Sequence, residues 1–351
     1  MKFITKEVYV TEEEYPSVGK QHIQRLRSEV ANTPRGRLRL CGHKTNDDRM
    51  HEMFIVFTGD NYVRPSYHLG KDESLHVLEG DGDYIFFDAK GNVIDTVPLG
   101  TYFSGRQFYC RINENTHHGL YIRSGDVAIH ETTPGPFRPE DTAFMPWAPE
   151  EADIVGIEAY KERASKLPRK ERPLLKMKQE GEEVYVADEP IVSVGPKEID
   201  FLKSKVNSTR RKRTRLCTHT NIQNTLHEMF VVYTSMTYVV PNKHLGKDES
   251  LHILEGEADF IFFDESGNDI TGVIPLGDYN SGRQFYCRVP ANAYHSMIMR
   301  TDKLVIHEAT PGPFVRSDTV WAPWAVPESD TAGVAKFMDR LRAAGDAAAK
   351  H

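Results

Sequence analysis

The chain repeats itself. His68-Leu69-Gly70-Lys71-Asp72-Glu73-Ser74-Leu75-His76-Val77-Leu78-Glu79-Gly80 returns, with one Val→Ile change, from His244 to Gly256. The same spacing maps Glu7-Val8-Tyr9-Val10 onto Glu183-Val184-Tyr185-Val186, and Cys41-x-His43 onto Cys217-x-His219. The run from Ser104 to Arg111 returns from Ser281 to Arg288, one residue further on, so a single insertion separates the copies near the Gly91 and Gly267 turns. A period of about half of 351 residues is too long for a solenoid unit and has the size of a domain with its own core. The expected organisation is one domain over 1–165, a linker over 166–181, and a second domain of the same layout over 182–351. The linker is charged and punctuated by proline.

Within each half the patterning changes once. A short strand at Glu7–Val10 or Glu183–Val186 precedes helical spacing over 19–30 or 196–206, where Ile23, Leu26 and Val30 recur on one face. From Arg37 onward come short alternating or apolar segments, among them RLRLCGH, HEMFIVF, LHVLEG, DYIFFD, QFYCRI and DVAIHE. Gly, Pro, Asn and Asp separate them, which predicts a β-sandwich or barrel. Pro-Gly-Pro-Phe and Pro-Trp follow in both copies, then helices over about 150–165 and 329–349.

Composition excludes several classes. No apolar run approaches the roughly 20 residues that cross a bilayer, and the N-terminus lacks the apolar core of a secretory signal. The expectation is a cytoplasmic protein. Four cysteines, in two repeat-equivalent pairs without C-x-x-C, argue against a disulfide framework or zinc cluster. A net charge of −7 argues against broad nucleic-acid binding, despite the basic run at 209–215.

His68 precedes Glu73 by five residues, Glu73 precedes Gly80 by seven, and His118 follows in Asn113-x-Asn115-x-x-His118; the second copy gives His244, Glu249, Gly256 and then Pro290-x-Asn292-x-x-His295. This resembles the cupin family. Its first motif is His-x-His, Glu and Gly, its second Pro-x-Gly-x-x-His, and its His and Glu residues bind a metal inside a small jelly roll. More narrowly, Arg37-x-Arg39 with His43, the reduced His68/Glu73 motif, His130-Glu131 before Pro-Gly-Pro-Phe, and the Pro-Trp pairs resemble the WbuC-type cupin-fold metalloproteins. The resemblance implies a mainly β chain: two tandem double-stranded β-helix (jelly-roll, cupin) barrels with flanking helices. It implies metal ligands at His68, Glu73 and His118, and at His244, Glu249 and His295. Ser66 and Asn242 stand where the family has its first His, and Asn115 and Asn292 where it has Gly. Each site therefore offers two His and one Glu.

That donor set suits a divalent metal, Fe(II) foremost, with Zn, Mn or Ni as alternatives, and leaves open positions for substrate or dioxygen. Alternate arginines on one strand, Arg37 and Arg39 or Arg213 and Arg215, would point the same way and could hold an anionic substrate. His43 and His219, at the end of that strand, are candidates to line the mouth. Glu131 and Glu308 are candidate acid–base groups. Arg106 and Arg283, as candidate catalytic residues, share a strand face with Phe108 and Cys110 or their equivalents, where a buried arginine needs an anionic partner and so binds either Glu or substrate. His76 and His252 should face away from the metal, and Asp72 and Asp248 read as loop charges. The expected function is metal-dependent chemistry on a small polar or anionic metabolite, leaning toward oxygen-using or rearrangement reactions. A sugar isomerase or epimerase, and a non-catalytic sugar- or carboxylate-binding cupin, are the alternatives. A homodimer is also compatible.

Overall fold

A computed structural model describes residues 1–348; the last residue of the helix expected over 329–349 lies outside them. Two compact units form. The first takes residues 1–12, 23–176 and 188–198; the second takes 13–22, 177–187 and 199–351, of which 349–351 are not described.

In the first unit an eight-stranded sheet runs in the order Lys2–Thr5, Val8–Val10, Arg37–Cys41, Met50–Thr58, Asp126–Pro134, Glu73–Glu79, Tyr109–Ile112, Ile191–Val194. A five-stranded sheet faces it: Thr142–Phe144, Ser66–His68, His118–Ile122, Asp81–Phe87, Val93–Gly100. The second unit repeats this, with both layers joined into a 13-stranded sheet through the parallel bridge Leu276–Gln284. In the first unit the equivalent bridge, Leu99–Gln107, stands isolated.

Each unit borrows a strand from the opposite half of the sequence. Ile191–Val194 pairs with Tyr109–Ile112 in the first unit, and Ser17–Gly19 pairs with Gln284–Val289 in the second. Duplication makes this exchange possible, because both copies present the same edge. The segment after residue 165 is likewise held against the first unit: Arg169 pairs with Asp81 and Asp83, and Arg172 with Asp95.

Alternation along the strands sorts the side chains. Leu75, Val77, Tyr84, Phe86, Cys110, Ile112, Leu120, Ile122, Val127 and Ile129 fill the first barrel. Their counterparts, from Leu251 to Ile306, fill the second. The helix Ile154–Ser165 buries Tyr160 and Ala164 against the outward faces of Ile85 and Phe87. The helix Thr331–Ala348 buries Phe337, Met338 and Leu341 against Ile261, Phe263 and Ile298. No described helix is long and apolar enough to cross a membrane.

Two repeated motifs have local causes. Gly91 lies flat on the Trp147 ring, with a positive φ of 88°, and an added Cβ would meet that ring at 2.8 Å. Gly267 meets Trp324 in the same way. Asn115 and Asn292, which stand where the cupin motif has Gly, have φ of 61° and 67°. Asn tolerates this left-handed conformation better than other side chains do, so the turn before each second-motif His is preserved.

Candidate metal centre

Three strands converge to build each site. His68 ends the strand Ser66–His68, Glu73 opens Glu73–Glu79, and His118 opens His118–Ile122 in register with Ser66. In each barrel the two imidazoles and the carboxylate each offer a ligand atom, all lying within 4.8 Å of one another. In the first, His68 Nε2 is 2.6 Å and His118 Nε2 3.7 Å from the Glu73 carboxylate. In the second, His244 and His295 stand 3.6 Å and 3.3 Å from Glu249.

The far ring nitrogens are committed elsewhere. His118 Nδ1 donates to the Thr116 carbonyl at 2.7 Å, and His295 Nδ1 to the Ala293 carbonyl at 3.0 Å. His68 Nδ1 meets the Thr142 hydroxyl, and His244 Nδ1 the Thr319 hydroxyl, at 3.1 Å and 3.2 Å. A carbonyl acceptor holds a proton on Nδ1, so Nε2, which faces the carboxylate, is the nitrogen that a metal would take in place of a proton shared with that carboxylate. The residues present therefore fit a divalent ion.

Electrostatics divides the interior carboxyls into two kinds. Burial alone would raise the Glu73 carboxyl. The neighbouring His68 and His118, with hydrogen bonds from His68 and Tyr84, outweigh it and bring the pKa down to about 2. Glu249 likewise falls to about 2. Glu131 and Glu308 go the other way: burial, then the charge of Glu73 or Glu249, pushes them up to about 7 and about 8. Each barrel thus pairs an ionised carboxylate among imidazoles with a carboxylic acid beside it.

An acid whose pKa is higher in the folded than in the unfolded chain binds its proton more tightly when folded. The stability Glu131 and Glu308 contribute is then lost as pH rises through their folded pKa values. Replacing both by Gln should remove that loss. Metal-free Glu131→Gln/Glu308→Gln protein should gain on wild type in denaturant midpoint between about pH 5 and about pH 8; an equal difference at both pH values would contradict the assignment.

The arginine pairs lie on the same inward face. Arg37 and Arg39 both act on Glu131, and Arg213 and Arg215 on Glu308. Burial, then the charges of Arg39 and Arg35, pulls the Arg37 pKa down. Its Nε is buried without a hydrogen-bond partner, because Arg35 takes Glu7. In the second barrel Arg213 Nε instead holds the equivalent Glu183 at 3.2 Å. The rest of the basic run is also engaged locally: the backbone amides of Arg210 and Arg211 donate to Glu182 and Glu183.

Other candidates sit elsewhere. Arg106 is exposed and pairs with Asp81, and Arg283 pairs with Glu257 and Asp259. The strands begin at Tyr109 and Gln284, so neither arginine occupies an inward strand position, and the expectation of a shared face with Phe108 and Cys110 fails. His43 and His219 are buried, stacked on His51 and His227 at 3.9 Å and 4.0 Å, with Nδ1 against the backbone of Glu52 and Glu228. His76 and His252 lie on the outward face, opposite His130 and His307. There His130 pairs with Glu52 and His307 with Glu228.

Three features escaped the sequence reading. Tyr84 donates to Glu73 Oε1 at 2.5 Å; its inward parity with Phe86 was the available signal. Thr142 and Thr319 come from distant strands and carry no motif. Asp72 and Asp248 are anchors rather than loose loop charges. Asp72 is buried, meets Arg111 Nη2 at 2.7 Å and accepts the Glu114 amide at 3.1 Å; Asp248 holds Arg288 and the Ala291 amide.

A family model described as a domain of unknown function, DUF6016, matches residues 18–99 and again 195–274. No curated protein matches the chain. Among solved structures, salicylate 1,2-dioxygenase from Pseudoaminobacter salicylatoxidans is similar. A mutant form of that enzyme in complex with gentisate superposes with a TM-score of 0.61 at 14% identity, covering 90% of this chain and 86% of that one. A further structure of the salicylate 1,2-dioxygenase gives 0.61 at 13% identity, covering 88% of each chain. At this identity the likeness speaks to architecture, and with the two barrels described above it shows that the chain has the tandem cupin, or bicupin, fold.

Proposed function

We propose that this chain is a metal-dependent bicupin enzyme acting on a small anionic metabolite, with Fe(II) the favoured metal and oxygen-using or rearrangement chemistry the favoured reaction. The observation that carries the reading is the convergence, twice, of two imidazoles and a carboxylate beneath a pair of inward arginines. A divalent ion bound there would supply Lewis acidity and open positions for substrate or dioxygen. His68, Glu73 and His118 would hold it in one barrel, and His244, Glu249 and His295 in the other. Arg37, whose Nε lacks a partner, and Arg39 are the groups that would orient a substrate carboxylate or phosphate. Glu131 and Glu308, as acids that titrate near neutrality, would hold or accept a proton beside it. The architectural likeness to a dioxygenase acting on salicylate agrees with this choice but does not carry it.

One observation favours a second reading. A carboxylic acid with a pKa of about 7 or 8 beside the ligand triad also suits proton transfer in a sugar isomerase or epimerase, and the WbuC-type resemblance, associated with surface polysaccharides, points the same way. Metal-loaded protein should be offered small aromatic and aliphatic carboxylates and sugar phosphates, with oxygen uptake and solvent-deuterium incorporation followed in parallel. Oxygen uptake with a carboxylate supports the first reading. Deuterium incorporation without oxygen uptake supports the second, and neither signal from any compound counts against both.

A substitution separates the arginine's role from general stability. Arg37→Met should weaken binding of the anion found in that screen by about 10-fold or more, the scale of one lost charge-assisted contact. The check is titration calorimetry with the denaturant midpoint measured alongside.

A further inference from the structure

We propose that the two barrels are unequal metal sites, and that Tyr84 is a positioning residue that makes the first the tighter one. The inference rests on the metal reading above and goes beyond it by ranking the sites.

The barrels differ at several interior positions. Strand for strand, Tyr84 in the first corresponds to Phe260 in the second, Phe57 to Tyr233, and Ser66, paired with His118, to Asn242, paired with His295. The rings at the first of these positions occupy the same place. Tyr84 lies 5.3 Å from the His118 ring, and Phe260 lies 5.3 Å from the His295 ring. Both are nearly inaccessible to solvent. At this position the second site lacks one oxygen that the first has, and that oxygen donates to Glu73 at 2.5 Å. The phenol of the second barrel, Tyr233, comes from the strand Leu226–Thr234, far from Glu257–Phe263 in the strand order. Its charge environment is set more by Glu308 than by Glu249.

A hydrogen bond from outside the ligand set fixes the orientation of a ligating carboxylate before the metal arrives. Loss of such a partner commonly weakens metal binding by about 10–100-fold. Tyr84 is well placed for this: its ring is locked between His118 and Phe86, and it is not itself in the ligand set. The imidazoles have their own outer partners in both barrels, Thr142 and Thr116 in one, Thr319 and Ala293 in the other. The carboxylates differ in theirs: Glu73 has a phenol on a ring held between two others, and Glu249 has the carboxyl of Glu308, on a side chain that no ring holds.

Co(II) titrated into metal-stripped full-length protein against a competing chelator tests this. Wild type should bind two ions per chain in two resolved steps. His244→Ala protein, which keeps only the first site, should retain the tighter step. Tyr84→Phe in that background should weaken it about 10–100-fold, toward the affinity of the second site measured in His68→Ala protein. Phe260→Tyr in the His68→Ala background should tighten the second site, so the inference stands or falls even if Tyr84→Phe does not fold. Two equal steps in wild type, or affinities that neither tyrosine exchange moves, overturn the inequality and leave the metal reading intact. Absence of any uptake overturns both.

Discussion

Arg111→Ala is expected to destabilise the first barrel by about 3–5 kcal/mol, the usual consequence of removing one partner of a buried ion pair. The Arg111 side chain is 1% exposed and that of Asp72 7%, so the variant leaves a carboxylate in the interior with little water to replace the guanidinium. The damage should reach the site. Asp72 immediately precedes Glu73, its Oδ1 accepts the Glu114 amide, and its carbonyl accepts the Thr133 hydroxyl. One side chain therefore ties the loop that presents Glu73 to the loop that leads to His118. In the second barrel Asp248 is 33% exposed, so water can solvate it when its partner is lost, and Arg288→Ala should cost less. Denaturant unfolding should show one destabilised transition for Arg111→Ala and a smaller shift for Arg288→Ala. Equal shifts would mean that burial does not set the cost.

That pair also shows where sequence reading stops. Period-two alternation places Cys110 inward and Arg111 outward, and an outward arginine on a strand ordinarily reaches solvent. Here the outward face belongs to a central strand. Tyr109–Ile112 is flanked by Glu73–Glu79 on one side and by the exchanged strand Ile191–Val194 on the other. Nothing local to Arg111 encodes a neighbour from the other half of the sequence, so neither its burial nor the anchoring role of Asp72 could be read. The convergence of His68, Glu73 and His118 was more legible because its information is local and duplicated. His68 and Glu73 lie within one repeated phrase, and the Asn115 turn that places His118 needs only a residue tolerant of positive φ. Arg106 misled because its phrase looks like continuous strand, whereas the chain makes a short helical turn at Tyr102–Ser104, pairs first at Gln107 through an isolated bridge and enters its regular strand at Tyr109. Tyr84 was within reach. The repeat itself offers the comparison with Phe260, and the inward parity of DYIFFD places both rings in the barrel.

The duplication makes the ligand assignment unusually easy to test by stoichiometry. Glu73→Ala and Glu249→Ala should each remove about half the metal bound by reconstituted protein, and the double variant essentially all of it. Loss of a ligand at a three-ligand site leaves two imidazoles, too few to hold a divalent ion at ordinary concentrations. The metal-free variants should also lose some stability at neutral pH, because a pKa of about 2 marks Glu73 as a carboxylate that the folded chain holds ionised among His68, His118 and Tyr84, offset in part by relief of Glu131. Stoichiometry separates the two effects: each single variant loses the metal of one barrel and keeps that of the other, which a general unfolding defect would not do. Elemental analysis beside the denaturant midpoint of the metal-free proteins reads both. Full metal in either single variant would remove its carboxylate from the ligand set. Half occupancy in wild type, with only one single variant losing it, would locate all the metal in one barrel.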